Sequence, residues 1–312
     1  MLNYYLSDPL GALKRVDQLE KNCWIDMVSP TESEINLMAG VLNVPSDFIT
    51  DALDNYERPR IEREDDSLLI IADFSHVTYD DIDKEVFETM PMGIIITENY
   101  ITTICLKQNP ILEPFLANGI KGFFTHKKTR FSLQILQQIS FRYIRDLAQL
   151  SKKTQDAEKD LHESVKNKHL FQIMNIEKSL VHFITSLKSN RTVLQKILRQ
   201  NLLKMYEEDE DLLEDVIIET DQAIEMAEVH SNVLSGSMDA YASIIANNMN
   251  DVMKFLTLFT IILTVPTLVF SFYGMNVSLP YGAGPFSWVV TIVLSLILGL
   301  FLALILWRKG IL

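Results

Sequence analysis

The chain has 312 residues and a formal net charge of −13, with 48% hydrophobic residues. An acidic surface of this kind argues against nucleic acid as a partner and favours cations. Cys23 and Cys105 form neither a disulfide framework nor a CxxC pair, which suits a reducing cytosol, and Met1-Leu2-Asn3-Tyr4-Tyr5 lacks the basic and apolar regions of a signal peptide.

Residues 1 to 129 read as a cytoplasmic α/β domain. Thr31–Leu42 and Pro45–Leu53 have helical patterns, with Ser46 placed as an N-cap of the second. Ser67–Tyr79 is a Leu- and Ile-rich strand. Gly93–Thr97 and Tyr100–Leu106 are β-branched runs separated by Glu98-Asn99, which predicts a tight hairpin. The chain carries no glycine-rich phosphate loop, no HExxH and no GxSxG, so neither an enzyme nor an organic substrate is expected.

From 130 to 254 the pattern changes to long helices and a stalk. Phe131–Val165 places Leu133, Leu136, Ile139, Tyr143 and Leu147 on one face. After a break near Asn167-Lys168, Leu170–Tyr206 repeats the pattern with Leu170, Ile173, Leu180, Phe183, Leu187, Leu194 and Ile197. Opposite charges at helical spacing and the short break predict antiparallel hairpins. A third helix is expected to begin after the acidic run Glu207–Asp211 and to continue from Leu212 to Tyr273. At 1.5 Å per residue that rod would be roughly 90 Å long, with Pro266 a tolerated kink.

Residues 255 to 312 read as a two-span transmembrane domain. No Asp, Glu, Lys or Arg occurs from Phe255 to Trp307. A span needs about 20 apolar residues, so this run fits two, Phe255–Tyr273 and Phe286–Trp307. The linker between them is rich in Gly, Asn and Pro. Lys254, Arg308 and Lys309 flank the spans, which places both termini in the cytoplasm by the positive-inside rule. Trp288 and Trp307 sit where interfacial anchors would.

The second span is apolar all round and fits a lipid-facing outer helix. The first carries hydroxyls at Thr257, Thr260, Thr264, Thr267 and Ser271, spaced 3, 4, 3, 4 on one helix face. The same ladder runs back through Met253, Asn250, Ala246 and Ser243 to Asp239, and forward to Gly274. Such hydroxyls can bond their own i−4 carbonyls or glue helices together. A stripe that also holds Asn250 and Asp239 favours a water-filled pore, and two helices enclose a pore only as several copies.

Three features together resemble the CorA-type magnesium transporters. They are Tyr273-Gly274-Met275-Asn276 ending the first of two C-terminal spans, Asn250-Asp251-Val252-Met253-Lys254-Phe255-Leu256-Thr257 entering the membrane, and the order of parts. The resemblance covers the whole chain in architecture and is specific in sequence from Asp239 to Asn276. It implies a homopentameric channel in the plasma membrane, embedded in lipid, that imports Mg²⁺. The first span, continuous with a very long cytoplasmic helix, would line the pore. Gly274, Met275 and Asn276 would form the selectivity filter, with Asn276 the key residue and Met275 packing the turn. Asp239, Asn250, Met253, Leu256, Thr264 and Thr267 would line the pore, Met253 and Leu256 at its apolar constriction. Asp215 matches the regulatory aspartate, with a partner sought among Asp80, Asp81 and Asp83. Intracellular Mg²⁺ bridging such acids between subunits would hold the channel closed.

Mg²⁺ dehydrates reluctantly, so a ring of neutral oxygens touching the hydrated ion suits it. Many family members have an acidic outer loop, whereas Val277–Ser287 has no acid. Transport of Co²⁺, Ni²⁺ or Zn²⁺ on the same scaffold, and a non-conducting membrane-anchored signalling scaffold, are the competing readings. No two of the six histidines lie at the i, i+3 or i, i+4 spacing of helical metal ligands, and no zinc site is assigned.

Overall fold

A computed structural model describes residues 1–79, 85–163, 167–275 and 286–308. They fall into two compact units, Met1–Ser235 and Gly236–Leu312.

The first unit opens with β1 (Leu2–Ser7), β2 (Leu13–Val16) and β3 (Trp24–Val28), followed by helices α1 (Glu32–Leu42) and α2 (Asp47–Thr50) and a 3-10 turn at Asp51–Leu53. Strands β4 (Arg60–Glu64), β5 (Ser67–Tyr79), β6 (Glu85–Ile96) and β7 (Ile101–Cys105) come next. A short α3 (Glu113–Leu116) precedes α4 (Lys128–Glu163), α5 (Asn167–Gln200) and α6 (Glu207–Tyr273). The last helix, α7 (Ser287–Arg308), belongs to the second unit.

The strands form one seven-stranded sheet in the order β2-β1-β3-β7-β6-β5-β4. Only the β3–β7 pair is parallel. Alternation sends Ile25, Met27, Leu69, Ile71, Ile95 and Ile104 into a core with Met38 and Leu42 of α1 and Phe48 and Ile49 of α2. The sheet approaches the 3-10 turn so closely that a Cβ on Gly93 would lie 2.4 Å from the Ala52 Cβ. On β3, Trp24 alternates to the other side, edge-on to Phe131 of α4 at 5.1 Å.

Several expected boundaries shift, each for a local reason. The capping residue in this region is Thr31, whose hydroxyl accepts from the Glu34 N–H while the Glu34 carboxylate accepts from the Thr31 N–H. Ser46 does occupy the N-cap position of α2, but its backbone is already helical, at φ −58°, and it makes no side-chain cap bond. The hairpin after β6 forms, with the Thr97 N–H donating to the Tyr100 carbonyl, but β6 begins at Glu85 rather than Gly93. Proline is tolerated at position 91 because β7 pairs with β6 only from Gly93 onward, so no partner there requires its N–H.

Helix α5 ends at Gln200, short of Tyr206. Leu133, Leu136, Ile139, Tyr143 and Leu147 of α4 are buried, as are Ile173, Leu180, Phe183, Leu187, Leu194 and Ile197 of α5, while Leu170 is half-buried. Tyr143 meets Phe183 edge-on at 5.0 Å. Helix α6 contains the acidic run instead of following it: Glu207, Glu208, Asp209 and Glu210 form its first turn. Carboxylates there complement the helix dipole.

Candidate ion pathway and regulatory acids

The first turn of α6 uses two of its four acids structurally. Asp209 is buried and accepts from the Tyr206 N–H at 3.2 Å. The Arg130 guanidinium of α4 donates to Glu208 at 2.9 Å and to Asp209 at 3.5 Å. Asp215, two turns on, is exposed. Four residues further, Glu219 is the acid whose significance the sequence did not reveal. One of its carboxylate oxygens is 3.5 Å from Gln137 Nε2, and the other is buried with no hydrogen-bond partner. Burial first, and then the charge of Asp215, raise the Glu219 pKa, against the Gln137 hydrogen bond that lowers it. Asp80, Asp81 and Asp83 lie outside the described residues. Among the described residues no three His, Cys, Asp or Glu side chains converge as a metal-binding group.

In the second unit, every residue of the polar ladder is exposed on the single chain. This holds for Asp239, Ser243, Asn250 and Met253, for the hydroxyls Thr257 to Ser271, and for Gly274. Leu256 is also exposed. The better-covered positions, Leu258, Ile261, Val265, Val269 and Tyr273, follow a different helix face. On α7 the covered positions are Val289, Thr291, Ser295, Gly299, Leu302, Ala303 and Leu306, and four of them, Thr291, Ser295, Gly299 and Ala303, are small residues at every fourth position. Small residues at that spacing let membrane helices approach closely. The expectation of a uniformly greasy outer helix is therefore refined: α7 has one small-residue face.

Ser243 and the four threonines of the ladder share one geometry. Thr257 donates to the Met253 carbonyl at 2.7 Å, Thr260 to Leu256 at 2.8 Å, Thr264 to Thr260 at 2.7 Å and Thr267 to Leu263 at 2.8 Å. Ser243 does the same to Asp239 at 3.1 Å. Each hydroxyl spends its only proton on its own helix and keeps oxygen lone pairs as acceptors. Pro266 lies inside the helix and brings no N–H to the Ile262 carbonyl.

The helix closes with the Gly274 N–H donating to the Phe270 carbonyl at 2.9 Å. A Cβ at Gly274 would stand 3.2 Å from that same oxygen, so the residue that ends the span is the one with least to clash. Met275 follows, 53% exposed. Asn276 lies outside the described residues.

Both α6 and α7 contain windows long and apolar enough to cross a membrane, with mean hydropathies of 2.1 and 3.1 and only 6% of each window buried. A soluble core helix of such composition would be covered.

A family model described as CorA-like Mg²⁺ transporter protein matches residues 20–309. The cobalt/magnesium transport protein CorA of Methanocaldococcus jannaschii is 29% identical over 292 residues, covering 92% of this chain and 90% of that protein. The cobalt/magnesium transport protein CorA of Thermotoga maritima is 26% identical over 241 residues, covering 73% of this chain and 65% of that protein. The complete structure of the CorA magnesium transporter from M. jannaschii matches with a TM-score of 0.84 at 25% identity, covering 100% of this chain and 99% of that one. The cytoplasmic domain of ZntB from Vibrio parahaemolyticus shares the fold at a TM-score of 0.61 and 9% identity, over 78% of this chain and 98% of that one. The CorA relatives are transporters rather than enzymes, and the match to the M. jannaschii CorA runs through both the α/β unit and the apolar helices. The chain belongs to the CorA-like Mg²⁺ transporter family.

Proposed function

We propose that this chain is the protomer of a homopentameric channel that imports Mg²⁺ across the plasma membrane. The observation that carries the reading is the exposed acceptor ladder on α6. The outer surface of a hydrated Mg²⁺ ion consists of water protons, because the ion holds its first-shell water by oxygen. A wall suited to that surface presents acceptors. Hydroxyls whose protons are tied to i−4 carbonyls present only acceptors outward. Repeated around an axis, Thr264, Thr267, Asn250 and Asp239 make rings for the hydrated ion, with Met253 and Leu256 as an apolar constriction. Gly274, Met275 and Asn276 serve as the filter at the ladder's upper end.

Gating follows from Asp215. Mg²⁺ held between Asp215 and acids of a neighbouring copy, Asp80, Asp81 or Asp83 among them, would offset repulsion and keep the pore closed. Glu219 adds an unpartnered oxygen on the same helix face as Asp215. With Lys254, Arg308 and Lys309 on the inner side, both termini are cytoplasmic.

Co²⁺ is a second cargo of this pathway, favoured because the M. jannaschii and T. maritima relatives are named cobalt/magnesium transport proteins. The test is ion flux into liposomes containing the full chain, comparing Mg²⁺, Co²⁺, Ni²⁺ and Zn²⁺. Uptake of Mg²⁺ with Co²⁺ supports the reading. Absence of flux for all four supports a non-conducting scaffold instead.

A further inference from the structure

The seam between α5 and the sheet buries a carboxylate that the ion pathway does not use. Asp73, on β5, is 9% exposed. Its Oδ2 accepts from the Ser186 hydroxyl of α5 at 2.6 Å, and Ser186 Oγ is also 3.0 Å from Thr89 Oγ1 of β6. The backbone of Asp73 is held as well. Pairing of β4 with β5 ends at Arg60 and Ile71, so Asp73 has no strand partner on that side. The Asn190 side chain of α5 takes the strand's place: its Oδ1 accepts from the Asp73 N–H at 2.9 Å and its Nδ2 donates to the Asp73 carbonyl at 2.7 Å.

Helix α4 faces the same seam with Tyr143 and Asp146, both 0% exposed. Asp146 Oδ2 accepts from Ser75 at 2.6 Å and from the Arg142 guanidinium at 2.8 Å. Thus Arg142 partners Asp146, and among the described residues no cation forms an ion pair with Asp73. The other groups around it, Ser186, Asn190, Thr89 and Ser75, are neutral. His76 alternates to the other face of β5. Tyr143 Oη and Asp146 Oδ1 are buried without a hydrogen-bond partner. A buried carboxylate with no countercharge is costly, and a bound proton removes the cost.

We propose that Asp73 is a proton-binding site in this seam, and that its protonation tightens α5 against β5. Burial, the largest influence, lifts its pKa from 3.8 to about 6, and the Ser186 hydrogen bond opposes the rise. A carboxyl whose folded pKa is raised stabilises the fold most below its unfolded pKa and loses that contribution as pH rises through the folded one. The window therefore runs from 3.8 to about 6. The effect can reach the long helix, because α5 also pairs with α6 through Arg191–Asp221 at 2.6 Å and Lys188–Glu228 at 2.7 Å.

The test is hydrogen exchange of the full-length chain in detergent from about pH 4 to about pH 8, corrected for intrinsic rates. Protection of β5 and α5 is expected to be flat above about 6 and to rise as the pH falls below it, and Asp73→Asn is expected to abolish that transition. A flat wild-type profile, or the same transition in Asp73→Asn, overturns the proposal. Ser186→Ala provides an independent reading should the Asn variant not fold. Removing the donor that favours the ionised form must move the onset of the rise upward, and an unchanged or lowered onset counts against Asp73.

Discussion

The Thr264 hydroxyl lies 2.7 Å from the Thr260 carbonyl, one turn below it on α6. That bond fixes the hydroxyl's proton inward and turns its lone pairs outward. If hydrated ions pass along this face, Thr264→Val removes an acceptor while keeping the side-chain shape. One hydrogen bond is worth about 1 kcal/mol, so losing a single acceptor would lower Mg²⁺ flux by roughly fivefold, and a homopentamer loses it in every copy, which makes that the minimum fall expected. Thr264→Ser keeps the acceptor and should stay near the parent rate. Stopped-flow uptake in liposomes compares the three, and equal flux in all would separate this hydroxyl from the pathway.

Asp215 is exposed and, after burial, its charge is the second influence that raises the pKa of Glu219 four residues away. As a sensor it needs Mg²⁺ to bring its neighbours together. Limited proteolysis of the full chain with and without Mg²⁺ should show protection in the parent and a clear loss of that protection in Asp215→Ala. Equal protection in both proteins would remove Asp215 from the sensor. Glu219→Gln should weaken the same protection if its orphan oxygen contributes.

Gly93 faces Ala52 with no room for a Cβ, which would stand 2.4 Å from the alanine's own. Gly93→Ala must push the sheet away from the 3-10 turn. Overpacking of this kind costs about 1–3 kcal/mol. A lowered thermal midpoint of the full chain would register it, and the double variant Gly93→Ala with Ala52→Gly should recover part of the loss.

Elements whose cause is local were legible in the sequence. β5 occupies Ser67–Tyr79, as its apolar run indicates, and α4 and α5 bury the face that helical spacing selects. The edge strands were not legible. β2 is LKRV and β4 is RIERE, with Ile61 its one buried residue, and such segments become strands only because a neighbour offers a ladder. The first half of β6 was missed for a similar reason, since Pro91 is compatible with a strand only where β7 has stopped pairing. In the candidate site, the hydroxyl ladder showed itself because 3–4 spacing is a property of one helix. Glu219 did not, because its burial depends on Gln137 of α4, distant in sequence. Asp73 was hidden inside an apolar strand, and its partners Ser186 and Asn190 come from α5.

In the proposed channel α6 leads to a filter at Gly274, Met275 and Asn276. The most direct measurement is Mg²⁺ uptake into liposomes by the parent chain and by Asn276→Ala, with the oligomer of each checked by native mass spectrometry. We predict that the variant keeps the oligomer and loses Mg²⁺ flux. Undiminished flux through an intact Asn276→Ala oligomer would contradict the account.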